Sequence, residues 1–368
     1  MIALGLTTGS IGPTLPALAI QTNSSVSAIS YLFTFRSFGY VFGAFGVGKL
    51  FDRHPGNTIM GVAIFIAVVA MTIVAFVTQL WVLLLVMFVL GVTESSFDVG
   101  ANTLLVRVHG ERVAPYMNAM HACFGIGSLI APLIVAQLTR SGHAMTNVYV
   151  VLAVMLIPIG LFSFTSPSPK MKAILSAKQD LTNSRFTLIS LVIFLFLYVG
   201  IEVGVGGWLF TYALLTNLGT ATTAAYLTSL FWGSLTLGRI LMIPIATRIK
   251  PEMILAFSLS GTLLSLGVML AGPHTLLIMS VAIGGLGVSL ASIFPATLSF
   301  ASHRMTVTGA VTGWFIVGSS LGATLIPMLM GQLVPRIGPL SIVATPALAM
   351  FVAAGVFTLL WSHRTSAR

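Results

Sequence analysis

The stretch GSLIAPLIVAQL, residues 127–138, returns 195 residues later as GATLIPMLMGQL, residues 322–333. Gly127, Pro132, Gln137 and Leu138 recur as Gly322, Pro327, Gln332 and Leu333. Working outward at the same offset, Gly5, Gly9 and Gly12 recur as Gly200, Gly204 and Gly207, Gly43 as Gly238, and Arg53 as Arg248. Single glycine matches carry little in a chain with 36 glycines, but the Pro-(x)4-Gln-Leu match at the shared offset carries more. Three separate apolar segments thus share one register without a gap. The chain reads as two copies of one unit.

Composition supplies the solvent. The 368 residues are 57% hydrophobic and 7% charged, and mean hydropathy is +1.05. Soluble domains carry about 25% charged residues, so these segments are matched to lipid. Twelve apolar segments are each near the ~20 residues that span a bilayer. They run over 1–19, 26–48, 57–77, 80–104, 115–138, 145–164, 186–213, 222–246, 252–271, 275–299, 307–332 and 339–361. Lipid-exposed backbone must satisfy its own hydrogen bonds, so all twelve are expected to be helices. The expected organisation is an N-terminal six-helix half (1–164), a cytoplasmic linker (165–185) and a C-terminal six-helix half (186–368). The linker is polar, with Pro167, Pro169, Lys170, Lys172, Lys178 and Arg185. Two such halves in a very apolar chain are the arrangement of parallel-repeat secondary transporters, whose substrate site lies near mid-bilayer.

The formal charge of +10 is a topology signal. With the linker inside, the inner loops and tail hold 13 of the 17 basic residues, among them Lys49, Arg107, Arg112, Arg248, Lys250 and Arg304. The outer loops hold Arg140 and Arg336, and Arg36 and Arg239 lie within helices. The positive-inside rule then puts both termini in the cytoplasm of a plasma-membrane protein. No nucleic-acid partner is needed to explain the charge. The repeat puts the counterpart of Phe186 about nine residues before Met1, so the first helix is expected to be short at its cytoplasmic end. A late start or a trimmed chain would both produce this. A single cysteine, Cys123, excludes a disulfide framework and a multi-cysteine metal site; it is expected to be a small core residue. The chain has no His-Glu-x-x-His, Walker loop or Gly-x-Ser-x-Gly. No metal, no cofactor beyond a coupling ion, and no enzymatic activity are expected.

The acids narrow the site. Of the seven, Asp52, Glu111, Asp180 and Glu252 fall at helix ends or in loops; Glu94, Asp98 and Glu202 fall inside helices. An ionisable group at membrane depth costs several kcal/mol by most scales and is functional by default. The structural alternative for each is an ion pair with Arg36 or Arg239. Glu94, Asp98 and Asn102 are spaced i, i+4, i+8 and share one helical stripe. Asn118, His121 and Ser128 lie near one stripe of the next helix. A carboxylate there can carry a proton, or bind sodium with amide and backbone oxygens. His121 alternatively hydrogen-bonds a facing helix. Glu202 sits in a glycine-rich run with Gly200, Gly204, Gly206 and Gly207, which permits close helix approach or local unwinding. Trp208, Trp232 and Trp314 offer sugar-stacking faces or ordinary packing and interfacial anchoring. Gly48-Lys49-Leu50-Phe51-Asp52-Arg53-His54-Pro55-Gly56 forms a tight turn whose Asp-Arg pair can latch helices through charge, or is a solvated loop.

That loop resembles the signature loop of the major facilitator superfamily, Gly-x-Leu-x-Asp-Arg-x-Gly, with one residue inserted before Gly56. Two stretches resemble its fucose permease-like branch, including the sodium-dependent glucose transporter-like members: Asp98 to Asn102 with Asn118, His121 and Pro132, and Tyr198 to Gly204 with Glu202. The resemblance implies a major facilitator fold of two pseudo-symmetric six-helix bundles. In the branch, the acid four residues before the fourth-helix Asn is implicated in proton coupling; here it is Asp98. The residue three after the fifth-helix Asn contacts sugar; here it is His121, where the sugar permease has an amide. The branch's helix-1 aspartate four before Leu-Pro is replaced by Gly12, with Glu94 or Glu202 as candidate substitutes. The reading is a monomeric secondary transporter of a small polar solute, a hexose-like sugar first, coupled to protons or sodium by rocking of the halves. Its rivals are a proton-coupled exporter of drugs or metabolites and a non-transporting membrane receptor.

Overall fold

The computed structural model describes residues 1–51, 53–109, 114–168, 185–271, 275–306 and 309–362. Every regular element among them is a helix. In chain order these are α1 (Ile2–Gln21), α2 (Val26–Ile29), α3 (Tyr31–Phe51), α4 (Gly56–Phe76), α5 (Leu80–His109), α6 (Ala114–Arg140), α7 (Asn147–Thr165), α8 (Arg185–Leu215), α9 (Ala221–Ala246), α10 (Pro251–Ala271), α11 (Leu276–Leu290), α12 (Ile293–Arg304), α13 (Gly309–Ile337) and α14 (Ser341–Ser362). They match the twelve expected segments, two of which are broken.

The second segment is α2 followed after Ser30 by α3; the Ser25 side chain caps α2 by accepting from the Ala28 N–H at 3.1 Å. The tenth segment is α11 followed by α12. Pro295 lies in the first turn of α12 and has no N–H; its ring would clash with the Ala291 carbonyl of a continuous helix. Among the described residues, eleven spans are long and apolar enough to cross a membrane, with α11 and α12 counted as one. The remaining expected segment, α3, is 21 residues long and carries Arg36.

Two compact units are present. One comprises Met1–Ala173 with Gly207–Gly233, the other Ile174–Gly206 with Ser234–Arg368. In the first unit, α1 packs on α6, α3 on α5, and α4 on α5 and α7. The α1–α6 crossing is close enough that backbone touches backbone. A Cβ on Gly5 would lie 2.0 Å from the Phe124 carbonyl oxygen, and one on Gly127 would lie 3.0 Å from Gly5 Cα. In the second unit α8 meets α13 the same way: a Cβ on Gly200 would lie 2.7 Å from the Gly322 oxygen. Small residues let helices approach where lipid supplies no hydrophobic drive.

The repeat is visible elsewhere in the backbone. Arg53 N–H donates to Leu50 O at 3.0 Å, and Arg248 N–H to Ile245 O at 3.0 Å. Asn23 (φ 49°) and Asn217 (φ 55°) end α1 and α8 in the left-handed region. Polar side chains inside the first unit mostly serve the helices themselves. Thr14 and Tyr149 share a buried 2.7 Å hydrogen bond between α1 and α7. Gln21 donates to the Val74 and Val77 carbonyls at the end of α4. At the other end of α4, Asn57 Nδ2 donates to the carbonyls of Ser166 and Pro167, and the Asn57 N–H to the Ser168 hydroxyl.

Candidate functional site

The charged stripe of α5 faces α3. Both helices run in the same direction through the unit, and two contacts separated by one turn join them at a constant register of 58 residues. In the first, Arg36 meets Glu94 side-on: Nε to Oε2 at 2.7 Å and Nη2 to Oε1 at 2.9 Å. Nη2 also donates to Thr8 Oγ1 of α1 at 2.8 Å. Glu94 is 1% exposed; Nη2 hydrogen-bonds one of its oxygens, and Nε stands at ion-pair distance from the other without hydrogen-bonding it. In the second, one turn along both helices, the Tyr40 hydroxyl donates to Asp98 Oδ2. Asn102 Nδ2 donates to Asp98 Oδ1 at 2.9 Å and to the Asp98 carbonyl at 2.8 Å. Asp98 is half-buried and makes no ion pair among the described residues. Among the described residues, its two carboxylate oxygens accept from neutral donors.

The second unit has a different polar cluster. Arg239 of α9 donates to Glu202 Oε1 of α8 at 3.1 Å. The Tyr198 hydroxyl, one turn earlier on α8, donates to Glu202 Oε2. The side chains of Glu202 and Arg239 keep 12% and 20% of their surface accessible. The Tyr198 ring stands 6.5 Å from that of Phe294. This cluster is electroneutral.

The remaining predicted residues are distributed as follows. Trp208 is fully buried against Phe33, with ring centroids 6.0 Å apart. Trp232 is buried edge-on to Phe124 at 6.2 Å and to Phe231 at 5.2 Å. Trp314 is 53% exposed on α13. His121 lies on an exposed part of α6, Cys123 is half-buried two residues on, and Ser128 is buried at the α1–α6 crossing. Arg53 and Gly56 lie in and just after the turn between α3 and α4: Arg53 is exposed, while Gly56 is buried against Phe51 and Leu104. Asp52 and the Asn118 side chain lie outside the described residues, and of Gly48 only its place in α3 is described. No group of three or more metal-ligating side chains occurs among the described residues.

Sequence reasoning missed Tyr40 and Thr8, and it named Tyr198 only as part of a run. Arg36, Tyr40 and Gly43 lie near one face of α3, as do Glu94, Ser95 and Asp98 of α5. Nothing local in the sequence says that those faces meet. The signal available was the spacing: Arg36 to Tyr40 and Glu94 to Asp98 are both four residues.

With this geometry in hand, the relationships of the chain are clear. Residues 1–327 match the Major Facilitator Superfamily, and the chain belongs to that family. It is a multi-pass integral membrane transporter and not an enzyme. It is 30% identical over 375 residues to sodium-dependent glucose transporter 1 of Danio rerio, covering 91% of this chain and 63% of that protein. It is 27% identical over 405 residues to the Homo sapiens protein of the same name, covering 99% of this chain and 78% of the relative. The chain thus spans less than two thirds of the zebrafish relative's length. The fold is that of the crystal structure of a mutant of the nucleoside transporter NupG, with a TM-score of 0.79, 16% identity, and 98% of each chain covered.

Proposed function

We propose that this transporter moves a small polar solute, a hexose-like sugar, uphill by alternating access coupled to sodium or protons. One observation carries the coupling. Of the three acids inside helices, Glu94 and Glu202 each pair with an arginine, and Asp98 makes no ion pair among the described residues. A buried charge without a counter-charge is costly unless a proton or a cation joins it. Asp98 is therefore the group that loads and unloads the coupling ion. Sodium is the first ion to test, because the relatives are named sodium-dependent.

The sugar reading is supported by the same relatives' names and by the chemistry of the Glu202–Arg239–Tyr198 cluster. A carboxylate and a guanidinium that retain some accessibility, beside the buried Tyr198 phenol, can exchange hydrogen bonds with adjacent hydroxyls, which both donate and accept. Asn102, Asn118, His121 and Trp314 are further candidate contacts. Trp208 and Trp232 would stack on sugar only where their covering rings withdraw. Arg53 and Gly56, with Gly48 and Asp52, are read as a latch without substrate contact. The distribution of basic residues supports a plasma-membrane protein with both termini in the cytoplasm, acting as a monomer.

The test is counterflow in proteoliposomes loaded with unlabelled candidate sugars. Transient uptake of labelled D-glucose or a related hexose above equilibrium supports the reading. Absence of exchange for every hexose, with exchange of another metabolite class, overturns the substrate.

A further inference from the structure

We infer that Tyr40, with Asn102, acts on the unloaded state of Asp98: its hydroxyl holds the empty carboxylate so that the coupling ion can leave. The inference rests on the assignment of ion loading to Asp98. A coupled transporter must populate two states of that group, loaded and empty. The loaded state is neutralised by its ion. The empty state is an anion inside a helix bundle, where a bare charge costs several kcal/mol. If nothing stabilised it, the ion would bind and stay, and the cycle would stall.

The geometry supplies the stabilisation. Tyr40 donates to Oδ2 and Asn102 to Oδ1, so each oxygen has one donor. Hydrogen bonds to an ionised acceptor are roughly twice as strong as neutral ones. They favour the charged form against protonation, and they occupy oxygen lone pairs that a metal cation would otherwise use. Tyr40 is held in place by its helix: a Cβ on the neighbouring Gly39 would lie 2.0 Å from the Phe88 oxygen of α5, and one on Gly91 of α5 would lie 2.8 Å from Tyr40 N. Backbone contact fixes α3 against α5, so the phenol meets the carboxylate without an independent motion.

Arg36 is committed to Glu94 and Thr8 one turn away. Tyr40 is therefore a positioning residue for ion release rather than an ion ligand.

The prediction has an unusual sign: removing the hydroxyl tightens ion binding. The experiment is the thermal stability of the purified protein, titrated with sodium at fixed pH and with protons without sodium. A ligand of the folded state stabilises according to its concentration relative to its dissociation constant. Wild type identifies the ion, and Asp98→Asn must lose that stabilisation. Tyr40→Phe should reach half-maximal stabilisation at about tenfold lower ion concentration, the effect of one charge-assisted hydrogen bond. Its sodium- or proton-driven uptake of D-glucose should show a lower maximal rate. If Tyr40→Phe cannot be purified folded, Asn102→Ala removes the other donor and carries the same expectation.

An unchanged or raised ion requirement in these variants overturns the role of Tyr40 while leaving Asp98 as the coupling group. Persistence of ion stabilisation in Asp98→Asn, or its absence from wild type, overturns the assignment on which the inference rests.

Discussion

Gly5 meets Gly127 in the first unit as Gly200 meets Gly322 in the second, yet the charged residues nearby do not correspond. A second crossing shows how they diverge. A Cβ on Gly43 would lie 2.9 Å from Val92 Cα, and one on Gly238 would lie 3.1 Å from Val288 Cα. The repeat offset is 195 for the glycines and 196 for the valines. Carried along these helices, Arg36, Tyr40, Glu94 and Asp98 fall on Phe231, Leu235, Leu290 and Phe294. In the other direction, Tyr198, Glu202 and Arg239 fall on Ala3, Thr7 and Ala44.

Each polar cluster is thus replaced by apolar or small side chains at its counterpart, apart from Thr7. The lesson is a division of labour. Backbone approach needs glycine in both units, because any Cβ there meets a main-chain atom. Charge placement is under no such constraint. A pseudo-symmetric scaffold can therefore put an acid with no ion pair among the described residues in one unit and a neutral hydrogen-bonding cluster in the other.

The largest effect tests the shared part. Gly5→Ala and Gly322→Ala place a Cβ 2.0 and 1.8 Å from a carbonyl oxygen, and each should cost at least about 3 kcal/mol, or all folded protein. Gly267→Ala, with nothing within 4 Å, should be neutral or slightly stabilising by thermal unfolding in detergent. If one unit tolerates the alanine at its crossing and the other does not, the crossings are not equivalent.

Next is the first unit's ion pair. Glu94→Gln keeps the shape but leaves Arg36 uncompensated, and should lower stability by about 3 kcal/mol. The second unit's pair is more accessible, so Glu202→Gln should cost less, about 1–2 kcal/mol. Adding Arg239→Gln separates the roles of that pair. Recovery of stability with transport intact would make the pair structural; recovery with loss of sugar-induced stabilisation would put it in the substrate site. The smallest effect on stability is expected at the exposed Arg53. Arg53→Ala should leave melting unchanged within about 0.5 kcal/mol while slowing uptake a few-fold. A melting shift as large as that of Glu94→Gln would make Arg53 a stability residue instead.

Much of this architecture was legible in the residues themselves. Lipid forces the backbone into helices, so hydropathy located the twelve helical segments, eleven of which are apolar enough among the described residues to cross a membrane, and Pro132 with Pro327 marked the repeat. The broken tenth span was readable in principle from Pro295, but one proline does not say whether a helix kinks or ends. The choice of partners was not legible. Either arginine could have served any of the three acids, because an ion pair depends on which helix faces meet and in what register. Glu94 and Glu202 both turned out to be paired, and the distinction between them and Asp98 exists only in three dimensions. Tyr40 was invisible for the same reason: in a chain with 24 phenylalanines and seven tyrosines, an aromatic at that position reads as packing.

The central claim is that the acid without an arginine is the one that couples. It is tested most directly by uphill accumulation of labelled hexose in proteoliposomes carrying an inward sodium or proton gradient. Wild type should concentrate the sugar above the external level, and Asp98→Asn should equilibrate it and go no further. An Asp98→Asn protein that still concentrates sugar would contradict the account.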